Sequence, residues 1–276
     1  DLAGNGGDIL RDVYVDWTPC DWGGMRMGQW KTETSRQFNT STSQLQFWER
    51  SRATELVNAG RQPGVGGMFE SEDGMWSASA SIRNGRSVGE GRNNPPADDN
   101  IAFGVAGRVN AMGEIDPYDE TDVNHSDEFG LTIGGAYFGE TDRVGTGTYE
   151  KANTNTVSAD TLMKLAGWSL GAEYLWQQVD PKDEVLGEKG DLNSFYVQTG
   201  YFVLPKELEI ALRYDFADCD DGKAYGNGGN CENTDKWQGF DVALNYYWWG
   251  HHIKSQLQYT YLKQEFVGGD DGNSEK

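Results

Sequence analysis

The sequence predicts an all-β protein, and specifically an antiparallel transmembrane β-barrel that forms a single domain over residues 1–276. Three observations predict it: apolar and polar residues alternate, aromatic residues gather at the ends of the alternating runs, and connections alternate between short and long. Residues 237–266 show the alternation most clearly. Because successive side chains of a strand point to opposite faces, each half of this stretch has one apolar and one polar face.

The same stretch carries aromatic residues where a membrane strand would meet the lipid surface. Trp248 and Trp249 lie beside the turn at Gly250, and Tyr259 and Tyr261 lie towards the far end of the second half. Aromatic girdles around an apolar band are typical of strands with lipid on one side and water on the other. We therefore interpret this hairpin as the repeating unit of the barrel.

Taken in order, the chain contains about twelve strand-like runs, an even number as bacterial barrels require. They span residues 10–17, 25–31, 64–70, 75–84, 101–112, 129–138, 157–166, 168–179, 194–203, 208–216, 238–249 and 252–266. The long connections start near residues 32, 85, 139, 180, 218 and 267, so they share one end of the barrel, which is predicted to be extracellular. Residues 113–128 break this rhythm, and their acidic residues predict a solvated excursion.

Composition is compatible with a barrel. No apolar run reaches the roughly 18 residues that a membrane helix needs, whereas only alternate residues of a barrel strand face lipid. A secreted β-sandwich is the alternative, but its strands average about five or six residues and the runs here reach about ten. The net charge of −21 argues against nucleic acid as a partner. The acidic residues of the connections are solvated loop tips or, alternatively, ligands for divalent cations.

Cysteine and histidine usage points to structure rather than to chemistry. Cys219 and Cys231 flank a loop rich in Gly, Asn and Asp, which predicts a disulfide in an oxidising compartment. Cys20 has no obvious partner, so a CxxC metal site is excluded. The three histidines lack the spacing of a metal or catalytic motif. We therefore expect neither enzymatic activity nor a cofactor or metal.

Residues 34–62 form an unusual connection, because they contain the adjacent aromatic residues Phe47 and Trp48 together with four arginines. The arginines are Arg36, Arg50, Arg52 and Arg61. A segment folded into the lumen would pack its aromatic residues on the wall and direct guanidinium groups, which suit anionic oxygens, towards the water path. The alternative is an apical loop that packs on itself.

Several motifs, in this order, resemble the phosphate-selective porin family, the O and P porins: RDVYVDW, MRMGQWK, FWERS, GRQPGV and MWSASASIRNG. The later stretches WSLGAEYLWQQV, LEIALRYDF and NYYWWGHHIKSQLQYTYL are similar too. The resemblance implies a trimeric barrel of about sixteen strands in the outer membrane of a Gram-negative bacterium, with the third loop folded inward. On this comparison the chain would lack about three strands at its start and also the last one.

The resemblance carries over to three predicted constriction residues, which are Lys31 in GQWK, Arg50 in WERS and Arg61 in GRQPG. Gln62 stands where the family usually has an acid, and the central lysine cluster of the family is not recognisable. These differences argue against carrying phosphate specificity over from the family.

Alternation assigns charged residues to the inward faces without help from the resemblance. The basic ones are Arg26, Arg83, Arg108, Lys164, Arg213 and Lys254, and the acidic ones are Asp12, Asp16, Asp160, Glu173, Glu209, Asp215 and Asp241. A mixed lumen of this kind passes small hydrophilic solutes with a mild charge preference. Taken singly, each charge is expected to pair with a neighbour across strands.

The sequence therefore predicts an outer-membrane porin for passive diffusion of small hydrophilic solutes, with anions or phosphate as the candidate preferred class. Its expected partners are outer-membrane lipid and two further copies in a homotrimer. Two other functions stay open: a barrel sheath around a partner such as a periplasmic electron carrier, and a secreted carbohydrate-binding β-protein. Solubility without detergent would favour the last of these over the other two.

Overall fold

The computed structural model describes residues 12–85, 101–144, 151–182, 189–219, 231, 234–266 and 271–275. These residues form one antiparallel sheet and a few short helices. The strands are β1 (Val13–Cys20), β2 (Gly23–Lys31), β3 (Arg61–Glu70), β4 (Trp76–Arg83), β5 (Ala102–Met112), β6 (Gly130–Val144), β7 (Lys151–Leu165), β8 (Trp168–Pro181), β9 (Gly190–Leu204), β10 (Leu208–Asp218), β11 (Thr234–Trp249), β12 (Ile253–Phe266) and β13 (Asp271–Glu275). The helices are α1 (Arg36–Asn39), a 3-10 helix (Thr42–Gln44) and α2 (Arg52–Val57). Within the described ranges, no helix is long and apolar enough to span a membrane.

Each strand pairs with the next one along the chain, in the order β1 to β13. All of the pairs are antiparallel, because each connection returns the chain beside the strand that it has just left. In the described part of the chain, β1 and β13 are the two edges of the sheet. The all-β, antiparallel class predicted from the sequence is confirmed.

The predicted runs correspond to β1–β12, although several of these strands are longer than predicted, most clearly β6, β7, β9 and β11. β6 continues to Val144 and β7 begins at Lys151, where the sequence predicts a loop. The inward face is polar there, and Thr154 Oγ1 donates to Glu140 Oε2 at 3.2 Å across the pair. The apolar alternation that predicts a strand is therefore missing from this part. The predicted start of the first run, at Leu10, lies outside the described residues.

A thirteenth strand, Asp271–Glu275, lies in a polar tail for which the sequence predicts no strand. It pairs with β12, and Glu275 lies opposite Tyr261. A ladder is made by backbone N–H and C=O groups, so a polar segment at the edge of a sheet can form one.

The two faces of the sheet differ as the alternation predicts. Leu244 of β11 lies opposite Leu257 of β12 on the outward face, and both are exposed. Asn245, the next residue along β11, faces inward and is fully buried. Trp248 and Trp249 are exposed beside the turn. Apolar strands with aromatic ends on the outside and a polar interior are the arrangement of an outer-membrane barrel.

The connections define two ends of the sheet, which we name the short-turn end and the long-loop end. One of the two-residue connections of the short-turn end joins β7 to β8 through Ala166 and Gly167, whose φ values of 50° and 82° fit the turn that matches the twist of a hairpin. Residues 32–60 connect β2 to β3 at the long-loop end. Most of the other acidic connections at that end, and the cation ligands considered for them, lie outside the described residues.

Candidate functional site: the lumen and its inward segments

Residues 32–60, named here the first inward segment, leave the end of β2 and enter the lumen instead of folding over its mouth. Serine side chains start both of its α-helices, because Ser35 Oγ accepts from Phe38 N at 3.1 Å and Ser51 Oγ accepts from Thr54 N at 3.0 Å. Most of the segment is buried against the inward faces of the strands. The inward fold predicted for this connection is confirmed.

Glu173 of β8 holds the start of α1 in the middle of the lumen. Its Oε1 accepts from the backbone N of Arg36 at 2.8 Å, and its Oε2 accepts from Ser35 Oγ at 3.0 Å and from the backbone N of Gln37 at 3.3 Å. The first turn of a helix has free N–H groups and a partial positive charge, so a carboxylate is stabilising there. Glu173 thus ties the segment to the wall.

The tip of the first inward segment reaches the short-turn end. Gln46 Nε2 donates to Glu209 Oε1 at 2.6 Å and to Ser169 Oγ at 3.0 Å, and both partners lie near the start of their strands. Lys254, near the start of β12, donates from Nζ to Leu45 O at 2.6 Å. The segment therefore runs the length of the lumen before α2 returns to the long-loop end.

The adjacent aromatic residues Phe47 and Trp48 of the segment differ in environment. Phe47 is buried and packs with Ala211 and Ala243, and the guanidinium of Arg213 lies 4.4 Å from its ring centroid. Trp48 is 73% exposed. The expectation that both aromatic residues pack on the wall is therefore correct for Phe47 and wrong for Trp48, whose indole lies in solvent.

Residues 113–128 at the short-turn end also fold into the lumen, and we name them the second inward segment. Glu120, which is 1% exposed, accepts from Gln37 Nε2 at 2.9 Å and from the backbone N of Gln46 at 3.0 Å. Arg36 Nη1 donates to Pro117 O at 3.2 Å. The prediction of a solvated excursion is therefore wrong. The carboxylate of Glu120 instead satisfies buried donors of the first inward segment, which cannot be left without a partner.

Asp119 fastens the second inward segment to the turn between β11 and β12. Its Oδ1 lies 3.0 Å from His251 Nε2, and its Oδ2 lies 3.6 Å from Lys164 Nζ. The other ring nitrogen of His251, Nδ1, lies 3.1 Å from Ser43 O of the first inward segment. Burial alone would raise the pKa of Asp119, but the hydrogen bond with His251 and the charge of Lys164 lower this pKa below its ordinary value.

Three predicted constriction residues, Lys31, Arg50 and Arg61, come together at the long-loop end, and we name them the cationic trio. Lys31 Nζ and Arg50 Nη2 donate to the same oxygen, Thr40 O, at 3.0 Å each. Arg61 lies opposite Lys31 in the β2–β3 pair and makes two hydrogen bonds to Asp12, at 3.0 and 2.9 Å. The hydrogen bonds of Lys31 Nζ to described residues go to backbone carbonyls, which do not neutralise its charge.

The other two predicted constriction residues lie elsewhere. Arg36 is 3% exposed, its Nη2 donates to Tyr196 Oη at 2.7 Å, and its Nε lies 3.5 Å from Asp160 Oδ1. The guanidinium of Arg52, in α2, lies 5.1 Å from the ring centroid of Trp237. Neither belongs to the cationic trio, and a role for either in ion passage stays a prediction.

Five of the six basic residues that alternation assigns to the lumen face inward and have partners within the protein. Arg83 pairs with Glu33 at 2.7 Å, Arg108 with Asp160 at 2.6 Å, Lys164 with Asp119 at 3.6 Å, Arg213 with Asp241 at 2.9 Å, and Lys254 with Leu45 O at 2.6 Å. Glu33 and Leu45 belong to the first inward segment and Asp119 belongs to the second. Arg83, Lys164 and Lys254 therefore hold the inward segments in place, Arg108 and Arg213 pair with carboxylates of the strands, and the effect of all five on permeating ions stays a prediction.

A cavity of about 1030 Å³, named here the main cavity, lies between the first inward segment and the inward faces of β2–β7. Lys31 and Glu33 line it near the long-loop end, and Asp116 and Tyr118 of the second inward segment line it near the short-turn end. A second cavity of about 600 Å³ lies beside His251. The main cavity extends between the two ends and is the space in which a water path can run.

Cys219 and Cys231 form a disulfide with their Cα atoms 5.8 Å apart. Both are buried in one core with Leu56 and Val57 of α2, so the bridge lies under the returning arm of the first inward segment. Cys20 is a free thiol and is half-buried. Within the described ranges, no group of three or more His, Cys, Asp or Glu side chains is placed to hold a metal ion.

Sequence reasoning missed the polar residues that hold the inward segments, above all Glu33, Gln37, Gln46 and Glu120. Their partners are far away along the chain: Gln37 and Glu120 are 83 residues apart. No local pattern marks such pairs. A usable signal is the unexpected length of residues 113–128, because a long connection where a tight turn is due must find its own place to pack.

Known proteins share this architecture. OmpT, an outer-membrane protein of Vibrio cholerae, has a TM-score of 0.59 and 12% identity, over 96% of this chain and 77% of that chain. OccK1 of Pseudomonas aeruginosa has a TM-score of 0.54 and 11% identity, over 95% and 65%. The outer-membrane channel DcaP of Acinetobacter baumannii has a TM-score of 0.51 and 14% identity, over 91% and 68%. At these identities the likeness shows a common fold alone.

A search of curated proteins found no match for the chain. The sequence profile of the family described as phosphate-selective porin O and P, however, matches residues 1–273. This match spans nearly the whole chain and agrees with the antiparallel sheet, the apolar outward face and the inward-folded segment after β2. The protein therefore belongs to the phosphate-selective porin O and P family, and it is a porin of the bacterial outer membrane.

Proposed function

We propose that this porin conducts small hydrophilic solutes passively through the main cavity and that it prefers anions. The observation that carries the proposal is the cationic trio, in which residues of β2, of the first inward segment and of β3 meet at the long-loop end. Lys31 is the member that lines the cavity. Its ammonium group is the one that a solute entering from this end would meet.

The chain as a whole has a net charge of −21, which by itself would favour cations. The effect of a charge on ion permeation depends, however, on where the charge lies. Charges next to a narrow aqueous path with low-dielectric walls act more strongly than the same charges in bulk water. Acidic residues on solvated connections are screened beyond about 10 Å at ordinary salt concentration. The cationic trio is therefore expected to outweigh the acids of the solvated connections. Of the acids that line the main cavity itself, Glu33 is paired with Arg83 and Asp160 with Arg108.

The proposal is for small anions as a class and not for phosphate. A dedicated phosphate site needs several donors that point into one place. Lys31 and Arg50 already donate to Thr40 O, and Arg61 donates to Asp12. Few donors of the trio are left for a tightly held oxyanion, so weak attraction fits better than specific binding.

We further propose that the outward face lies in outer-membrane lipid, that the long-loop end faces the exterior, and that the porin is a homotrimer. Exposed apolar residues on the outward face support the first point, for example Val105, Ile133, Ile210, Leu244 and Leu257. The trimer rests on the family resemblance. We assign no catalytic step, since the family is one of channels. A sheath around a partner protein is disfavoured because the inward segments occupy much of the lumen.

The test is the reversal potential of the porin in a planar bilayer under a salt gradient. Replacing both Lys31 and Arg61, as Lys31→Gln with Arg61→Gln, should lower the anion-to-cation permeability ratio. Lys206→Gln is the control for loss of a positive charge, since Lys206 is exposed in the turn between β9 and β10, at the opposite end from the trio. An unchanged potential in the double variant would contradict the anion preference and leave the channel function untouched.

A further inference from the structure

We propose that solutes crossing the main cavity pass over four small inward-facing residues, Ser79, Ala106, Ala136 and Ser158. We further propose that these residues set the size limit of the channel. We name them the small-residue row. This inference rests on the proposed passage through the main cavity and adds where in it a solute passes and which side chains it meets. All four residues line the cavity.

The row is continuous because it follows the strand register. Ser79 of β4 lies opposite Ala106 of β5, Ala106 opposite Ala136 of β6, and Ala136 opposite Ser158 of β7. Directly opposite residues on one face have Cβ atoms about 4.5–5.5 Å apart, so the four positions cover a band across four strands. Side chains of at most two heavy atoms leave that band open.

The opposite part of the wall offers no such room. Inward positions of β8–β11 are covered by the first inward segment, for example through Glu173, which binds α1, and Asn245, whose Nδ2 donates to Gln46 O at 2.8 Å. Tyr196 and Asn245 are fully buried. The inward segment therefore fills one side of the lumen, and the main cavity is what remains on the other side.

Ser158 provides an independent observation that points to a ligand. It is 4% exposed, it lines the cavity, and its Oγ has no hydrogen-bond partner among the described residues. A buried hydroxyl without a partner costs free energy, so such groups are normally satisfied by water or by a bound molecule. A hydroxyl both donates and accepts, and it therefore suits water and any small solute that carries hydroxyl or carboxylate groups.

Inward-facing residues two positions along the same strands place charged groups next to this hydroxyl. Arg108 of β5 reaches over Gly134 of β6 to Asp160 of β7, with hydrogen bonds of 2.6 and 2.8 Å. A Cβ atom at Gly134 would lie 2.5 Å from Arg108 Nη2, so glycine leaves room for the guanidinium in this position. Asp160 and Ser158 are on the same face of one strand, two residues apart. A solute at Ser158 is thus within reach of both donors and acceptors.

The experiment compares two serine-to-cysteine variants, Ser79→Cys in the row and Ser194→Cys beneath the first inward segment. Both positions face inward, and the substitution hardly changes the volume, so both variants are expected to fold. Ser194 Oγ donates to Ala53 O at 3.4 Å and is buried by α2. Cys20 lines the main cavity and is replaced as Cys20→Ser in both variants and in the parent. The probes are methanethiosulfonate reagents of either charge, added to the porin while it conducts in a bilayer.

The expected result is that modification removes most of the current of Ser79→Cys and leaves Ser194→Cys unchanged. Mass spectrometry of the recovered protein reports whether each thiol has reacted. Full modification of Ser79→Cys without loss of current would overturn the inference, as would equal block of Ser194→Cys. A parent that conducts no ions would instead refute the proposed function, so the two failures are distinguishable.

A second variant tests the size limit directly. Ala106→Leu adds three carbon atoms to the centre of the row and should lower the largest polyethylene glycol that still reduces the single-channel conductance. Ala172→Leu, which adds the same three carbon atoms to the outward face of β8, should leave that size limit unchanged. An unaltered limit in Ala106→Leu, in a variant that still folds and conducts, would show that the row does not set it.

Discussion

Lys31 and Arg50 donate to one carbonyl oxygen, that of Thr40, over the same distance of 3.0 Å. The two residues nevertheless differ in how much they contribute to the fold of the first inward segment. Arg50 Nε also donates to Gln37 O at 3.1 Å, so its guanidinium joins two carbonyls of the first inward segment. Lys31 belongs to the wall, and its Nζ reaches the segment from β2. Arg50 is thus expected to hold the fold of the segment as well as to supply charge.

Removal of Arg50 is expected to loosen the segment. Arg50→Ala deletes both carbonyl contacts, and a hydrogen bond from a charged donor is worth about 1.5–3 kcal/mol. We expect larger fluctuations of the open-channel current in Arg50→Ala than in Lys31→Gln, which changes the charge while keeping a polar side chain. Single-channel recordings measure this. Equal noise in the two variants would mean that Arg50 contributes charge alone.

Arg36 is expected to be the most costly single loss in the lumen. It is buried beside Glu120, Asp160 and Tyr196, and its removal takes the paired cation from the buried carboxylate of Glu120, while Asp160 keeps Arg108. Breaking such a buried pair costs about 3–5 kcal/mol. We therefore expect Arg36→Met to lower the free energy of unfolding in detergent by about that amount. Glu120→Gln added to Arg36→Met should recover part of the loss, and strictly additive effects would argue against coupling.

Acidification should release the second inward segment through Asp119. Its pKa lies below the ordinary value of 3.8 in the folded protein. Its ion pair therefore stabilises the fold above that value, and this contribution is lost as the pH falls through the lowered pKa. At pH 7, Asp119→Asn should lower the free energy of unfolding by about 1.5–3 kcal/mol. The difference between the variant and the wild type should shrink below about pH 4.

Asp127→Asn is the control for this pH dependence, because Asp127 lies in the same segment and is exposed. It should change the free energy of unfolding little at any pH. Urea titrations of the three proteins from pH 7 downwards decide the matter. A constant difference between Asp119→Asn and the wild type over the whole range would contradict the ion pair.

The disulfide between Cys219 and Cys231 is expected to stabilise the packing of α2 against the strands. Denatured, non-reduced protein should contain one free thiol, that of Cys20, and reduced protein should contain three. For a bridge that closes a loop of 12 residues, the chain-entropy relation gives about 3 kcal/mol of stabilisation. Reduction should accordingly shift the unfolding midpoint, and it should expose the buried residues of α2 to proteolysis first. Three free thiols before reduction would exclude the bridge.

Depth in the membrane should decide the cost of charge on the outward face. Leu257→Arg places a guanidinium towards the middle of β12, where it should cost about 2–4 kcal/mol, whereas Ile253→Arg at the turn should cost about 0–1 kcal/mol. Both residues are exposed on the same face. The yield of heat-modifiable, folded protein in outer membranes measures the difference. Equal yields would mean that this face does not meet lipid.

The fold was predictable because its signal is local. Leu244 and Leu257 alternate with polar neighbours within one hairpin, and that pattern alone places them on the outward face. The same parity correctly assigned Arg83 and Lys164 to the inward face. Strand-by-strand alternation therefore accounts for the sheet and its two faces.

The interior was not predictable in the same way, because its contacts join distant parts of the chain. Alternation marks Asn245 as inward and polar, which suggests a side chain in water. The structure instead places it in full burial, with Nδ2 donating to Gln46 O at 2.8 Å and to Glu209 Oε2 at 2.9 Å. No periodic pattern in residues 32–60 predicts the hydrogen bond between Asn245 and Gln46. Such information exists only once the sheet has brought β10 and β11 together.

The first inward segment has a consequence for the order of assembly. Leu45 accepts a hydrogen bond from Lys254, 209 residues later in the chain, and Trp48 N donates to Gln258, 210 residues later. Contacts between such distant residues form late and slow folding, because a long loop must close before they are gained. The segment is translated early but cannot dock until β11 and β12 have joined the wall. A barrel in which the β11–β12 hairpin has not yet joined the wall would therefore leave this arginine-rich segment undocked and accessible to proteases.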